Sequence, residues 1–219
     1  MAEQIIVIGL GQFGMALARS LSGKGAEVLG VDKERVLVDE AASFLTETVA
    51  MDATDEAELA RLKPKDRDSV ICAIGDESKE ASIICTALLR QMGTPMIVSR
   101  AGDKTHQRIL KLVGAHQVIN PEEEFGKKFA NRIIYRNIIA NTNIGEDLSL
   151  TEIKTQPSMA GKNLIELSLP GKYGVIVAGI RSGENGKVSP PSPTVPLKEK
   201  DNLILVSNES SIQKLIKEV

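Results

Sequence analysis

Aromatic residues are scarce in this chain: four Phe, two Tyr and no Trp among 219 residues. Nucleic-acid binding by stacking calls for interleaved aromatics on a basic face. A formal net charge of -2, from 27 basic and 29 acidic side chains, points away from that class, and no nucleic-acid partner is expected. Long apolar runs are missing as well, and none approaches the roughly 20 residues needed to cross a bilayer. Met-Ala-Glu-Gln before Ile5 lacks the basic leader and small-residue cleavage site of a signal peptide, so a cytoplasmic location is expected. Cysteine is limited to Cys72 and Cys85, at a spacing that makes neither a disulfide framework nor a metal pattern. Both are expected as reduced thiols in the core. Histidine is equally rare, and His106 and His116 have no orienting carboxylate or nucleophile close in sequence. Surface positions are expected for both.

What is present is an ordinary globular composition, with 42% apolar and 26% charged residues and 18 glycines. The length fits one full domain and a small one. Short β-branched runs recur at Ile5–Ile8, Val28–Val31, Thr48–Met51, Val70–Ile74, Met96–Ser99 and Gln117–Ile119, with helix-length segments between them. Runs without polar alternation fit strands covered on both faces, and right-handed crossovers make a doubly wound parallel sheet the economical topology. Phe13, Leu17 and Leu21 lie four apart on one helical face, and Ile83, Ala87 and Arg90 belong to a helix begun near Glu77. After Pro121 a long helix carries Phe125, Phe129, Ile133 and, further on, Ile138 on an apolar side; either a second subunit or the chain's own sheet would cover it. Asn141–Asp147 looks like a linker. Beyond it, strands at Leu148–Ile153, Gly174–Ile180 and Leu203–Val206, a short helix at Asn163–Leu167 and a terminal helix at Ser210–Val219 make an α+β module. The expected division is residues 1–120, a crossover helix and linker over 121–147, and a second domain over 148–219.

The motif that carries chemistry is Gly9-Leu10-Gly11-Gln12-Phe13-Gly14, a G-x-G-x-x-G hexapeptide between the first strand and the Phe13 helix. Gly9 permits the tight turn, Gly11 leaves room for a pyrophosphate, and Gly14 allows close contact between helix and strand. The helix start offers unpaired N–H groups and a positive dipole end to anionic oxygens. Asp32, 18 residues beyond Gly14, ends the second strand, where a carboxylate accepts hydrogen bonds from both ribose hydroxyls. The same charge disfavours a 2′-phosphate, although Lys33 and Arg35 weaken that exclusion. Asp52-Ala53-Thr54 and Gly75-Asp76 follow the third and fourth strands, at carboxyl ends where ligands of open α/β sheets gather. Asp52 and Thr54 suit either the base edge or a helix cap. Arg100 ends the fifth strand, where it meets either phosphate charge or a salt-bridge partner.

A nicotinamide dehydrogenase also needs a proton donor or acceptor beside its substrate. Tyr135 and Tyr173 form no Tyr-x-x-x-Lys pair, and no acid–base set stands out. Glu122-Glu123-Glu124 suits a hard cation or, equally, the first turn of a helix. Two readings therefore stand: a nucleotide-gated binding module that is not an enzyme, and a small NAD-dependent oxidoreductase with its site shared between subunits. The short C-terminal module and the missing acid–base set favour the first.

Several weak motifs in one order then make a specific match. The series runs Val7-Ile8-Gly9-Leu10-Gly11-Gln12-Phe13-Gly14, Val31-Asp32, Gly114-Ala115 and Asn120-Pro121-Glu122. It continues with Gly161-Lys162-Asn163-Leu164, Lys172-Tyr173-Gly174, Ile180-Arg181 and Lys200-Asp201. With these the whole chain resembles the RCK (TrkA-like) regulatory subunits of bacterial Trk and Ktr potassium-uptake systems, KtrA type. The resemblance implies a Rossmann RCK N domain followed by a TrkA-C-like domain, a homodimer assembled into an octameric ring, and a membrane potassium-translocating partner that the ring gates from the cytoplasmic face. It implies an adenine nucleotide, either ATP/ADP or NAD(H), held by Gly9, Gly11, Gln12, Phe13, Gly14, Asp32, Lys33, Asp52, Ala53, Thr54, Gly75 and Arg100. It places Glu122 at an intersubunit divalent-cation site and Ile180 and Arg181 in the region where some relatives bind cyclic di-AMP. Relatives that distinguish ATP from ADP carry an arginine in the glycine loop where this chain has Gln12. A neutral amide does not reproduce that bidentate charged contact, so the ATP preference stays open.

Overall fold

The computed structural model describes residues 2–134, 137–145, 147–183 and 186–218, so Tyr135 lies outside the described residues. The chain divides between Glu123 and Glu124 into two compact units. In the first, β1 (Gln4–Ile8), α1 (Gln12–Gly23), β2 (Glu27–Asp32), α2 (Arg35–Ala41), β3 (Glu47–Ala50) and α3 (Glu56–Arg61) are followed by β4 (Ser69–Cys72), α4 (Lys79–Gln91), β5 (Ile97–Arg100), α5 (Lys104–Val113) and β6 (Gln117–Ile119). The six strands form one sheet in the order β3-β2-β1-β4-β5-β6, with every pairing parallel. Alternate residues of β1 feed different cores. Ile5 and Val7 join Leu10, Ala18 and Val28, while Ile6 and Ile8 join Leu29, Leu59, Cys72, Cys85 and Leu89. Both faces are covered, which is why the strand runs lack polar alternation. Cys72 and Cys85 are free thiols buried in that second core.

α6 (Pro121–Ile134) opens with Pro in its first turn, and the Asn120 side-chain oxygen accepts from the Glu123 N–H at 3.0 Å. Glu122–Glu124 thus occupy a helix start, where the dipole favours carboxylates. Phe125 and Phe129 stack with ring centroids 5.6 Å apart.

The second unit contains β7 (Ile138–Asn143), β8 (Ser149–Lys154), α7 (Leu164–Leu167), α8 (Leu169–Tyr173), β9 (Ile176–Ser182), β10 (Val188–Ser189), β11 (Asp201–Ser207) and α9 (Glu209–Glu218). Its antiparallel sheet has the order β10-β9-β11-β8-β7, and Ile138, Ile153, Leu203 and Leu205 of its strands share one core with Met159, Leu169 and Leu215.

Three expectations are corrected by this fold. Ile138 is not on the apolar side of α6; it begins a strand and is buried in the core of the second unit. Asn141, Thr142 and Asn143 are strand residues paired with β8 rather than linker. His106 is 3% exposed, not a surface residue, because its spacing from Leu110 puts both on the buried face of α5, which packs on α4. His116 is exposed as expected, and its Nδ1 accepts from the Ile97 N–H at 2.9 Å.

Candidate nucleotide pocket

β1 delivers the chain into a turn at Gly9, whose φ of +93° lies in the left-handed region. The Gly9 N–H donates to Val31 O at 2.8 Å, which ties the turn to β2. A Cβ on Gly9 would sit 2.9 Å from the Ile74 nitrogen, so glycine is required for space as well as for dihedral. Gly14 is required from the other side, since its Cβ would run into the Gly9 carbonyl oxygen. Gly11 differs: its φ is -62°, and nothing lies within 4 Å of the Cβ position. It is the N-cap of α1 and offers no side-chain cap, which leaves first-turn N–H groups for an anion.

Asp32 braces this turn. One carboxylate oxygen accepts from the Leu10 N–H at 2.6 Å and the other from the Glu34 N–H at 2.8 Å. After β3, Asp52 Oδ1 accepts from the Thr54 N–H at 2.9 Å and the Thr54 hydroxyl at 2.7 Å. These bonds hold the Asp52 carboxyl below the usual carboxylate range. The helix-cap alternative for Asp52 and Thr54 is not what the structure shows, because Asp55 caps α3 by accepting from the Glu58 N–H at 3.0 Å. Arg100 pairs with Glu122 at 2.5 Å and lies 5.7 Å from the centroid of the Phe13 ring.

These elements enclose a cleft of about 390 Å³ at the carboxyl ends of the strands, centred where the strand order reverses beside β1. Gly9, Gly11, Gln12, Asp32, Lys33, Asp52, Ala53, Thr54, Gly75 and Arg100 all line it. Phe13 and Gly14 do not. Phe13 packs on the core beneath the loop and Gly14 sits against Gly9, so both shape the turn from behind. Sequence reasoning missed Val31, Leu37 and Met51 as apolar wall on the β2 and β3 side, and Ile74 and Ala81 beyond β4. It also missed three polar groups, Glu34, Glu77 and Ser78. Their signal was position alone: each follows the carboxyl end of a strand.

The remaining candidates lie elsewhere. Among the described residues no three His, Cys, Asp or Glu come together as a metal site, and Glu122 is engaged by Arg100. In β9, Ile180 packs on the core of the second unit. The Arg181 guanidinium forks onto Glu152, with Nε to Oε1 at 2.7 Å and Nη2 to Oε2 at 3.2 Å. That pairing holds the Glu152 carboxyl below its ordinary range. Among the described residues no helix is long and apolar enough to cross a membrane.

A parallel sheet in this order, with a glycine turn opening its first helix and a small antiparallel unit next in the chain, defines a Rossmann domain joined to an α+β domain. Residues 5–121 match the TrkA-N domain and residues 150–219 the TrkA-C domain. The chain therefore belongs to the TrkA-N/TrkA-C family of Ktr and Trk potassium uptake proteins. It is 33% identical over 219 residues to Ktr system potassium uptake protein C of Bacillus subtilis (strain 168), covering 100% of this chain and 98% of that protein. To Ktr system potassium uptake protein A of Vibrio alginolyticus it is 31% identical, covering 98% and 97%. The GsuK channel superposes with a TM-score of 0.68 at 20% identity over 98% of this chain, which spans 39% of the channel chain. The GsuK channel bound to NAD gives 0.65 at 20% identity, over 99% of this chain and 40% of that one. At those identities the structural likeness shows the fold.

Proposed function

We propose that this chain is a non-enzymatic, nucleotide-binding regulatory subunit that gates a Trk/Ktr-type membrane potassium-translocating partner from the cytoplasmic face. The observation that carries the reading is the cleft in which the glycine turn, the uncapped start of α1 and Asp32 converge, in a chain alignable end to end with Ktr potassium uptake proteins. Gly11 and the α1 start receive the phosphates, Asp32 the ribose, and Asp52, Ala53 and Thr54 flank the base. Arg100 approaches the phosphates by exchanging part of its contact with Glu122. Among the described residues the cleft lining has no His, Cys or Tyr, which weighs against the oxidoreductase alternative. Gating requires that the ligand bind two shapes of an assembled ring with different affinity, and a homodimer building an octamer supplies such a ring.

A thermal-shift and titration panel of ATP, ADP, AMP, NAD, NADH and cyclic di-AMP tests this. Bound nucleotide raises the melting temperature with concentration. Asp32→Ala removes charge-assisted hydrogen bonds worth about 1.5–3 kcal/mol and is expected to weaken every ribose-containing nucleotide by roughly tenfold or more. Unchanged affinities would remove the assigned site. Divalent cation at Glu122 and cyclic di-AMP at Ile180 and Arg181 belong to the same panel, each ligand having to displace an existing ion-pair partner.

A further inference from the structure

The cleft has two unlike halves on either side of β1. Strand order puts β2 and β3 on one side, with Asp32, Lys33, Asp52 and Thr54 at their ends. On the other side the β4–α4 connection and the end of β5 contribute Gly75, Glu77, Ser78 and Arg100. A ligand laid across the switch point with its adenosine ribose on Asp32 and its phosphates on the glycine turn continues over this distal half. With strands spaced about 4.8 Å apart, β4 lies roughly 10 Å from β2, which is beyond a single ribose and within reach of a group attached through a pyrophosphate.

The distal half carries one unpaired carboxylate and one arginine that already has a partner. Glu77 folds back so that both carboxylate oxygens lie where a Cβ on Gly75 would be. Among the described residues its carboxylate has no ion-pair or hydrogen-bond partner, though it lines the cleft. Arg100 is already balanced by Glu122 at 2.5 Å, and loop position 12 is the neutral Gln12. An incoming γ-phosphate therefore meets the unpaired Glu77 carboxylate beside an arginine it must share with Glu122, while a sugar hydroxyl meets an unused acceptor. Specificity of this kind works by rejecting the competitor as much as by binding the partner.

We propose that Glu77 sets ligand choice in this cleft. Its carboxylate rejects the γ-phosphate of a nucleoside triphosphate and accepts hydrogen bonds from the hydroxyls of a distal sugar, so the site takes an adenine nucleotide extended by a pyrophosphate-linked sugar ahead of ATP. Asp32 and Glu77 then serve as paired carboxylates, one for each ribose. This rests on the reading of the cleft as a nucleotide site.

Isothermal titration of the purified full chain with ADP, ATP, ADP-ribose and NAD, without added divalent cation, tests it. The wild-type chain is expected to bind ADP-ribose and NAD at least tenfold more tightly than ATP. Glu77→Gln keeps the shape and removes the charge; it is expected to raise ATP affinity relative to ADP about tenfold and to lower ADP-ribose affinity relative to ADP. Because Glu77 has no partner in the described fold, the variant's melting temperature should match the wild type. If ADP binds both proteins but Glu77→Gln leaves the ATP:ADP and ADP-ribose:ADP ratios unchanged, this inference is overturned and the nucleotide reading stands. If the folded wild-type chain binds none of the four, both are overturned.

Discussion

Burying an imidazole without a partner for either nitrogen favours its neutral form, and neither ring nitrogen of His106 is hydrogen-bonded among the described residues. Desolvation pulls its pKa below the ordinary value; Lys79 pushes the same way, while Asp103 and Asp76 oppose. The unfolded ring titrates near about 6.5, so the unfolded state takes up the proton first. Stability from the neutral ring is thus fully present above about pH 6.5 and is lost as pH falls through the lower folded value. Asp103 titrates in a separate window. Its hydrogen bond from Lys79, helped by the His106 N–H, holds it at about 2, so its contribution is present above about pH 4 and fades toward pH 2. Melting temperature is therefore expected to fall between pH 7 and pH 5, and His106→Leu to flatten that slope while leaving the decline below pH 4. An unaltered slope in the variant would assign it to other groups.

At the scale of α1, two glycines in one motif make opposite demands. Gly14→Ala drives a methyl group into the Gly9 carbonyl, and overpacking of this kind costs about 1–3 kcal/mol. Gly11→Ala meets open space at a dihedral that alanine adopts, so it should change stability by less than about 1 kcal/mol, the scale of an N-cap substitution. On the proposed binding mode its methyl would nevertheless occupy the approach of the pyrophosphate, and nucleotide affinity should fall tenfold or more. Denaturant unfolding alongside titration separates the two; normal binding by Gly11→Ala would move the phosphates away from the turn. The tight turn at Gly9 and the close approach of Gly14 were legible in the sequence because a glycine turn and an apolar strand are local patterns. The six parallel strands were legible for the same reason. β7 was not: Asn141, Thr142 and Asn143 look like loop, and only pairing with β8, through a register shift after Ile138, makes them an edge strand. The short β10 has no periodicity to detect. Burial of His106 depends on how α5 meets α4, and the Arg100–Glu122 pair joins residues 22 apart, so neither carries a local signature.

For the molecule as a whole, the exposed side of α6 is the feature a lone chain leaves least satisfied. Phe125 and Phe129 are 67% and 48% exposed despite stacking on each other, and Ile133 and Ile134 are exposed beside them. Monomeric proteins rarely leave such a contiguous patch in water, and burying each of these side chains is worth about 1.5–3 kcal/mol. Spacing of four makes the stripe self-complementary: two copies crossing antiparallel about Phe129 would set Phe125 of each against Ile133 of the other, an isologous contact of the kind that closes a dimer. The proposed homodimer is therefore expected to assemble through α6. Sedimentation velocity at micromolar concentration should show the wild-type chain as a dimer or larger, and Phe125→Glu combined with Phe129→Glu should at least halve the mass while both units stay folded. Salt adds a second readout. Apolar burial is not weakened as ionic strength rises, whereas an interface held by ion pairs is screened. Association should hold or tighten from about 0.1 M to 1 M salt, where the Debye length falls from about 10 Å to 3 Å. A wild-type monomer, or a double variant of unchanged mass, would take the interface off this helix.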